Sequence, residues 1–271
     1  MSPGDGCRIL ENAADGNGEI RGCCEAASVG TVDLAECDGH SGVLSLDFTD
    51  AGRAGELFHG NELLFSMDSN YPQEELRRVP QHSVGNIIEA LDRPLIHVPG
   101  GHVLPAAITR PRDLFLGYLM LDALIGNTDR HHENWGILVC PAEEGQARRA
   151  DVAPSFDHAS SLGRELREEE RAERLNTQDA GFSIQSYARK AVSAIYGEAG
   201  QKRPLSTVDA FRRFAEHCPA ARQAWLDKLG SVSENSLSGA VNRVPADRLT
   251  DTSGRFVLEV LRFNRKRLLE K

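Results

Sequence analysis

The chain has 271 residues, 40% of them hydrophobic and 26% charged, and a formal net charge of −9. That length accommodates one large domain or two small ones with a substantial core, and the composition is ordinary for a globular protein. An acidic balance with no basic stripe before the last helix excludes a broad nucleic-acid footprint, which needs clustered Lys and Arg. No stretch approaches the ~18 consecutive apolar residues of a membrane span, so no membrane association is expected.

The N-terminus, Met1-Ser2-Pro3-Gly4-Asp5-Gly6, has no basic run followed by an apolar one, and no signal peptide is expected. Residues 1–30 are rich in Gly, Asp, Asn and Cys; Glu19 to Ala27 could form a short helix, interrupted by Gly22. Cys7, Cys23, Cys24, Cys37, Cys140 and Cys218 form no Cys-x-x-Cys pair. Reduced thiols in a cytoplasmic protein are therefore expected, with neither a zinc ribbon nor a disulfide framework. After the Asp38-Gly39 turn signal, residues 43–48 alternate apolar and polar and predict a half-buried strand, and 62–67 predict a second one.

Residues 82–91 predict a helix carrying Val84, Ile87, Ile88 and Leu91 on one face. A Pro- and Gly-rich loop covers 93–101. The strongest helical pattern runs from Pro111 to Leu124 and stops at Gly126-Asn127. Trp135 to Cys140 predicts a buried strand, which pairs across a polar turn with a short strand around Val152 to Phe156. Residues 164–174 are charged enough for a solvated helix or a mobile segment. Amphipathic helices are predicted over 182–196, 206–217, 219–229 and 253–269.

Polar chemistry concentrates in Asp122-Ala-Leu-Ile-Gly-Asn-Thr-Asp-Arg-His-His-Glu-Asn134, between a helix and a buried strand. Asp129 and Asn134 stand five apart, the Asp-x-x-x-x-Asn spacing of kinase catalytic loops. There the Asp orients the substrate hydroxyl and the Asn holds a magnesium ion on the phosphates. Ser155-Phe156-Asp157-His158 brings a second acid 28 residues after Asp129. Magnesium favours carboxylate and amide oxygens alongside phosphate oxygens, which makes Asn134 and Asp157 a sensible pair. Asn127 either shapes the turn or contacts phosphate. Arg130 braces the loop or pairs with an acid, and His131 holds the loop by packing and hydrogen bonding. Asp122 is either a support for the loop or a partner of His131, and Trp135 is expected in the core. His158 either supports the metal site or has no role there. A transition-metal site built on Asp129, His131, His132, Asp157 and His158 matches no familiar ligand spacing.

These two segments, 122–134 and Ala-Pro-Ser-Phe-Asp-His-Ala-Ser-Ser-Leu-Gly at 153–163, resemble the C-terminal lobe of HipA-like kinases, bacterial toxin serine/threonine kinases with a protein- and phosphoinositide-kinase-like fold. The resemblance is dense over these segments and looser from residue 32 to 200. It implies an α+β, protein-kinase-like fold, with an abbreviated N-terminal lobe of short strands followed by a larger, mainly helical C-terminal lobe. It divides the chain into a poorly defined segment 1–30, an N-lobe remnant with hinge at 31–110, and the catalytic lobe at 111–271. Asp129 would be catalytic, and Asn134 and Asp157 would be metal ligands for Mg2+ with ATP as substrate. In the family a small DNA-binding antitoxin often accompanies the kinase.

One departure stands out. Such kinases use a phosphate-cradling loop and a strand lysine in the N-terminal lobe, yet the first lysine here is Lys190. Gly16-Asn17-Gly18 is a weak phosphate-loop signal, and Arg8 or Arg21 would offer a planar fork in place of a compact ammonium. The expectation is an upstream lobe missing or replaced, leaving either a pseudokinase that works as a binding module or a lobe that a partner chain completes.

Overall fold

The structure, a computed structural model, describes residues 7–9, 32–49, 55–100, 104–139 and 149–270. Strands β1 (Cys7–Ile9), β2 (Val32–Cys37) and β3 (His40–Ser45) form an antiparallel sheet in that order. Cys37 and His40 are paired across Asp38 and Gly39, whose φ values are 51° and 75°. Positive φ at both central residues is the two-residue hairpin turn that Asp-Gly favours. A turn that short starts β3 at His40, three residues before the predicted start, and every residue of β3 is exposed where a half-buried strand was expected.

A second sheet has the order β4-β6-β7-β5, built from β4 (Glu56–His59), β5 (Ile96–His97), β6 (Gly136–Val139) and β7 (Ala150–Val152). The predicted β6–β7 hairpin is present, with β6 also antiparallel to β4 and β7 parallel to β5. The expected strand over 62–67 is instead α1 (Gly60–Phe65). Leu63 and Leu64 are both buried, which a strand with alternating faces cannot do and a helix can. Glu62 Oε2 accepts from the His59 amide at 2.8 Å and starts the helix. Gly60 is required where strand turns into helix, because a Cβ there would stand 2.2 Å from the Trp135 indole.

Helix α2 (Val84–Leu91) follows, capped by the Ser83 hydroxyl. Helix α3 (Pro111–Ile125) is the axis of the molecule: Leu114 to Met120 are buried on every side. Pro111 occupies its first turn, Asp113 accepts from the Arg110 amide at 3.0 Å, and Gly126 ends it at φ 67°, the left-handed conformation that favours glycine. Trp225 donates to the Asp113 carbonyl at 2.8 Å and lies against Gly117.

From Glu168 onward the named elements are all helices: α4 (Glu168–Asn176), α5 (Ile184–Arg189), α6 (Thr207–Ala215), α7 (Pro219–Ser231), α8 (Glu234–Asn242) and α9 (Asp251–Leu269). Helix α4 buries no residue, as its charge foretells. The helix expected over 182–196 stops at Arg189. Its continuation is drawn into backbone pairing, with the Tyr196 amide on His82 O (3.0 Å) and the Tyr196 carbonyl on the Val84 amide (2.9 Å). Helix α8 had no counterpart among the predicted elements. The larger of two core clusters joins Leu63, Ile87 and Leu91 to Phe115, Trp135, Phe211, Trp225 and Leu268, and so runs across residue 110; the smaller holds Ile184, Phe256 and Val260. The architecture is α+β, a small strand-rich part followed by a larger helical part. Among the described residues no helix is long and apolar enough to cross a membrane.

Candidate functional site

The loop from Gly126 to Asn134 leaves the end of α3 and enters β6, and one buried ion pair shapes it. Asp122, on the last turn of α3, receives two bonds from the Arg130 guanidinium, Nε to Oδ2 at 2.7 Å and Nη2 to Oδ1 at 2.8 Å. Oδ1 also accepts from Asn127 Nδ2 at 2.8 Å. Arg130 then spends its remaining hydrogens on the chain around it. Nη1 donates to Asn134 O at 2.5 Å and to Phe156 O at 3.4 Å, and Nη2 to Ser155 Oγ at 2.9 Å. A charge buried this deeply is tolerated only when paired and hydrogen-bonded throughout, and this pair is.

The other loop residues hang on that frame. Asn127 Oδ1 accepts from the Asp129 amide at 3.1 Å, which makes it a turn-shaping residue. Asn134 Nδ2 donates to the Asp129 carbonyl at 2.7 Å. A carbonyl only accepts, so the amide orientation is fixed and Asn134 Oδ1 is the atom left for a cation. Asp129 is about one-third exposed, with Ser160 Oγ 3.3 Å from its Oδ2 and His131 Nε2 4.0 Å from its Oδ1. Thr128 N donates to Ser160 O at 3.1 Å, tying the loop to the segment after Asp157. His131 takes the Glu133 amide on Nδ1 at 3.2 Å, a loop-holding contact.

Asp157 is exposed and has φ 53°, a left-handed conformation that Asp tolerates. The residue before it packs its ring against Phe48 (5.7 Å) and His59 (6.0 Å). His158 Nε2 lies 2.7 Å from Ser155 Oγ. Burial, reinforced by the Arg130 charge, pushes the His158 pKa down to about 4. Arg130 is thus the hub: one nitrogen serves the backbone of Asn134 and of the residue before Asp157.

Behind the loop, Trp135 donates to His82 Nε2 at 3.1 Å, and His82 Nδ1 therefore donates to Ala194 O at 3.0 Å. Burial lowers the His82 pKa to about 3 and the His132 pKa to about 4. His132 Nδ1 lies 2.7 Å from Tyr71 OH. Asn61 and His59 hold Glu133 from the far side. Sequence reasoning left Asp122 undecided and did not find Ser155, Ser160, Tyr71 or His82. The eight-residue step from Asp122 to Arg130 crosses a helix end, where no spacing rule applies.

Asp129, Thr128, His131 and Ser160 form one wall of a cavity of about 810 Å3. Among the described residues no group of three or more His, Cys, Asp or Glu side chains could hold a metal ion. Asn134 Oδ1 and the Asp157 carboxylate are hard oxygen donors, a pair that suits Mg2+ completed by phosphate oxygens. Gly16-Asn17-Gly18 and Glu19–Ala27 lie outside the described residues.

The strand-rich part, the helical part and the loop at their junction define a kinase-like fold. The chain superposes on the crystal structure of the Helicobacter pylori proinflammatory kinase CtkA with a TM-score of 0.66 and 16% identity, covering 97% of this chain and 84% of that one. No family model and no curated protein sequence matches the chain.

Proposed function

We propose that the chain is a kinase of the HipA-like type, binding Mg-ATP and transferring the γ-phosphoryl group to a Ser or Thr hydroxyl of a protein. The observation that carries this reading is Arg130 Nη1, which draws Asn134 and the residue preceding Asp157 onto one nitrogen, while Asn134 Nδ2 holds the Asp129 carbonyl. The kinase-like fold supports it.

Asn134, through Oδ1, and Asp157 would hold magnesium, which supplies charge neutralisation on the phosphates. Asp129, held by its backbone bonds and by Ser160, orients the acceptor hydroxyl and takes its proton. As the acceptor oxygen bonds to the γ-phosphorus, the bond from that phosphorus to the β,γ-bridging oxygen breaks and ADP leaves. Catalysis here is positioning and electrostatics, with little covalent work for the protein. His131 braces Asp129, and Asn127, Arg130, Ser155 and His158 keep the loop in shape.

The absence of any lysine before Lys190 favours a second reading, a pseudokinase that binds a partner without transfer. A complementary N-lobe or an antitoxin protein would be that partner. Labelled ATP with Mg2+ separates the two when wild type is compared with Asp129→Ala and Asp157→Ala. The kinase predicts label in wild type alone; identical incorporation in all three proteins removes it.

A further inference from the structure

The cavity beside Asp129 has a charge that the rest of the chain does not share. The protein as a whole is acidic, at −9, yet this cavity is lined by Arg77, Arg78, Lys190 and Lys202, with Asp129 as its one carboxylate. All four cations are exposed. None makes an ion pair among the described residues, whereas Arg110, Arg112, Arg130 and Arg171 each sit on a carboxylate. Clustered cations left without counter-charge repel one another, so an anion arriving there is attracted by all of them.

Two further features mark the cavity as a binding cleft. Its walls, 76–82 and 190–204, come from distant parts of the chain but are fastened by three bonds, Tyr196 N to His82 O, Val84 N to Tyr196 O, and His82 Nδ1 to Ala194 O. The cleft is thus formed before anything binds, which spares the ordering cost of closing it. His132, 1% exposed, is one of its lining residues, and its Nε2 has no hydrogen-bond partner. Leu76 and Val192 add exposed apolar surface at the rim.

Resting on the kinase reading of Asp129, we infer that this cleft receives the phosphoacceptor, and that the acceptor is an acidic protein segment: a Ser or Thr flanked by Asp or Glu. Arg77 and Arg78 on one wall and Lys190 and Lys202 on the other would engage the flanking carboxylates while the hydroxyl reaches Asp129.

Binding of fluorescein-labelled peptides to the full chain, read by polarisation without nucleotide, tests this apart from catalysis. Three peptides share a central Ser, flanked by Glu, by Ala or by Lys. The Glu peptide should bind at least tenfold tighter than the Lys peptide and weaken severalfold between low salt and 0.3 M salt, as exposed charges are screened, by about the Debye length of 0.3 M salt, ~6 Å. Arg77→Glu/Lys202→Glu should reverse the preference, and both positions are exposed, so the variant's melting temperature should match wild type. Equal binding of the three peptides, no binding, or an unchanged preference in the variant overturns the inference. Transfer to the Glu peptide with Mg-ATP is then scored separately. Charge-selective binding without transfer would count against the kinase reading and leave the acidic-segment site standing.

Discussion

Arg130 grips Asp122 with two N–H···O bonds of 2.7 and 2.8 Å at a depth where the side chains are 1% and 4% exposed. Breaking it from one side strands a charge. Arg130→Met leaves Asp122 buried and unpaired and should cost about 3–5 kcal/mol, measured by urea unfolding. Arg130→Lys keeps the charge without the fork and should recover only part of the loss. Asp122→Leu combined with Arg130→Met should be less costly than the sum of the single changes. A loss for Arg130→Met within the ordinary surface range of about 0.5 kcal/mol would contradict this account of the loop.

Asp129→Asn retains the side-chain shape but removes the proton acceptor. If the chain is a kinase, transfer should fall about 10²–10⁴-fold. Thermal stabilisation by Mg-ATP should persist, at about 2.7 kcal/mol for nucleotide at a hundred times its dissociation constant. Asn134→Ala should instead abolish the difference between Mg2+ and EDTA in that same melt. Loss of nucleotide binding in Asp129→Asn would move this residue from the acceptor to the nucleotide.

His82, His132 and His158 fold in their neutral forms, with pKa values pushed from 6.5 to about 3, 4 and 4, chiefly by burial. In the unfolded chain the same groups take up protons near pH 6.5, so between that pH and about 4 the unfolded state binds more protons. Stability should therefore fall as pH drops through this window, by up to about 1.4 kcal/mol per pH unit for each histidine. Urea midpoints at pH 7.5, 6.5, 5.5 and 4.5 measure the slope, and His158→Gln should make it shallower. A midpoint that stays level over that range would mean these rings are not held neutral.

Gly117 and Gly85 should respond to alanine with opposite signs. At Gly117 a Cβ would stand 2.6 Å from the Trp225 ring, at the packed face of α3. Overpacking there should destabilise by about 1–3 kcal/mol and shift Trp fluorescence. At Gly85, inside α2, nothing lies within 4 Å of a Cβ, and the change should stabilise by about 0.4–1 kcal/mol through a less free unfolded chain.

The sequence was most legible where pattern and punctuation agreed. Pro111 and Gly126 bracket α3 almost at its observed ends, and the β6–β7 hairpin follows from two apolar runs around a polar turn. It misled at 62–67, where a short apolar run reads as a strand or a buried helix alike and a glycine forced by Trp135 starts a helix. The helix over 182–196 was cut short by pairing with His82 and Val84, partners a hundred residues away that no local pattern reports. At the candidate site, the spacing of Asp129 and Asn134 was visible and the geometry that joins them was not. Arg130 does that joining through backbone oxygens, which leave no trace in residue identity. Ser155 and Ser160 escaped notice for a related reason: each matters only through a neighbour that folding delivers.

Because Asn134 O and Phe156 O converge on one guanidinium nitrogen, segments 126–134 and 153–158 cannot open independently. Freeing either one releases Arg130, which in turn exposes Asp122 and loosens the other. Local unfolding of the two segments is thus a single event with one free energy, and amide exchange should report them as one cooperative unit despite the eighteen residues between them.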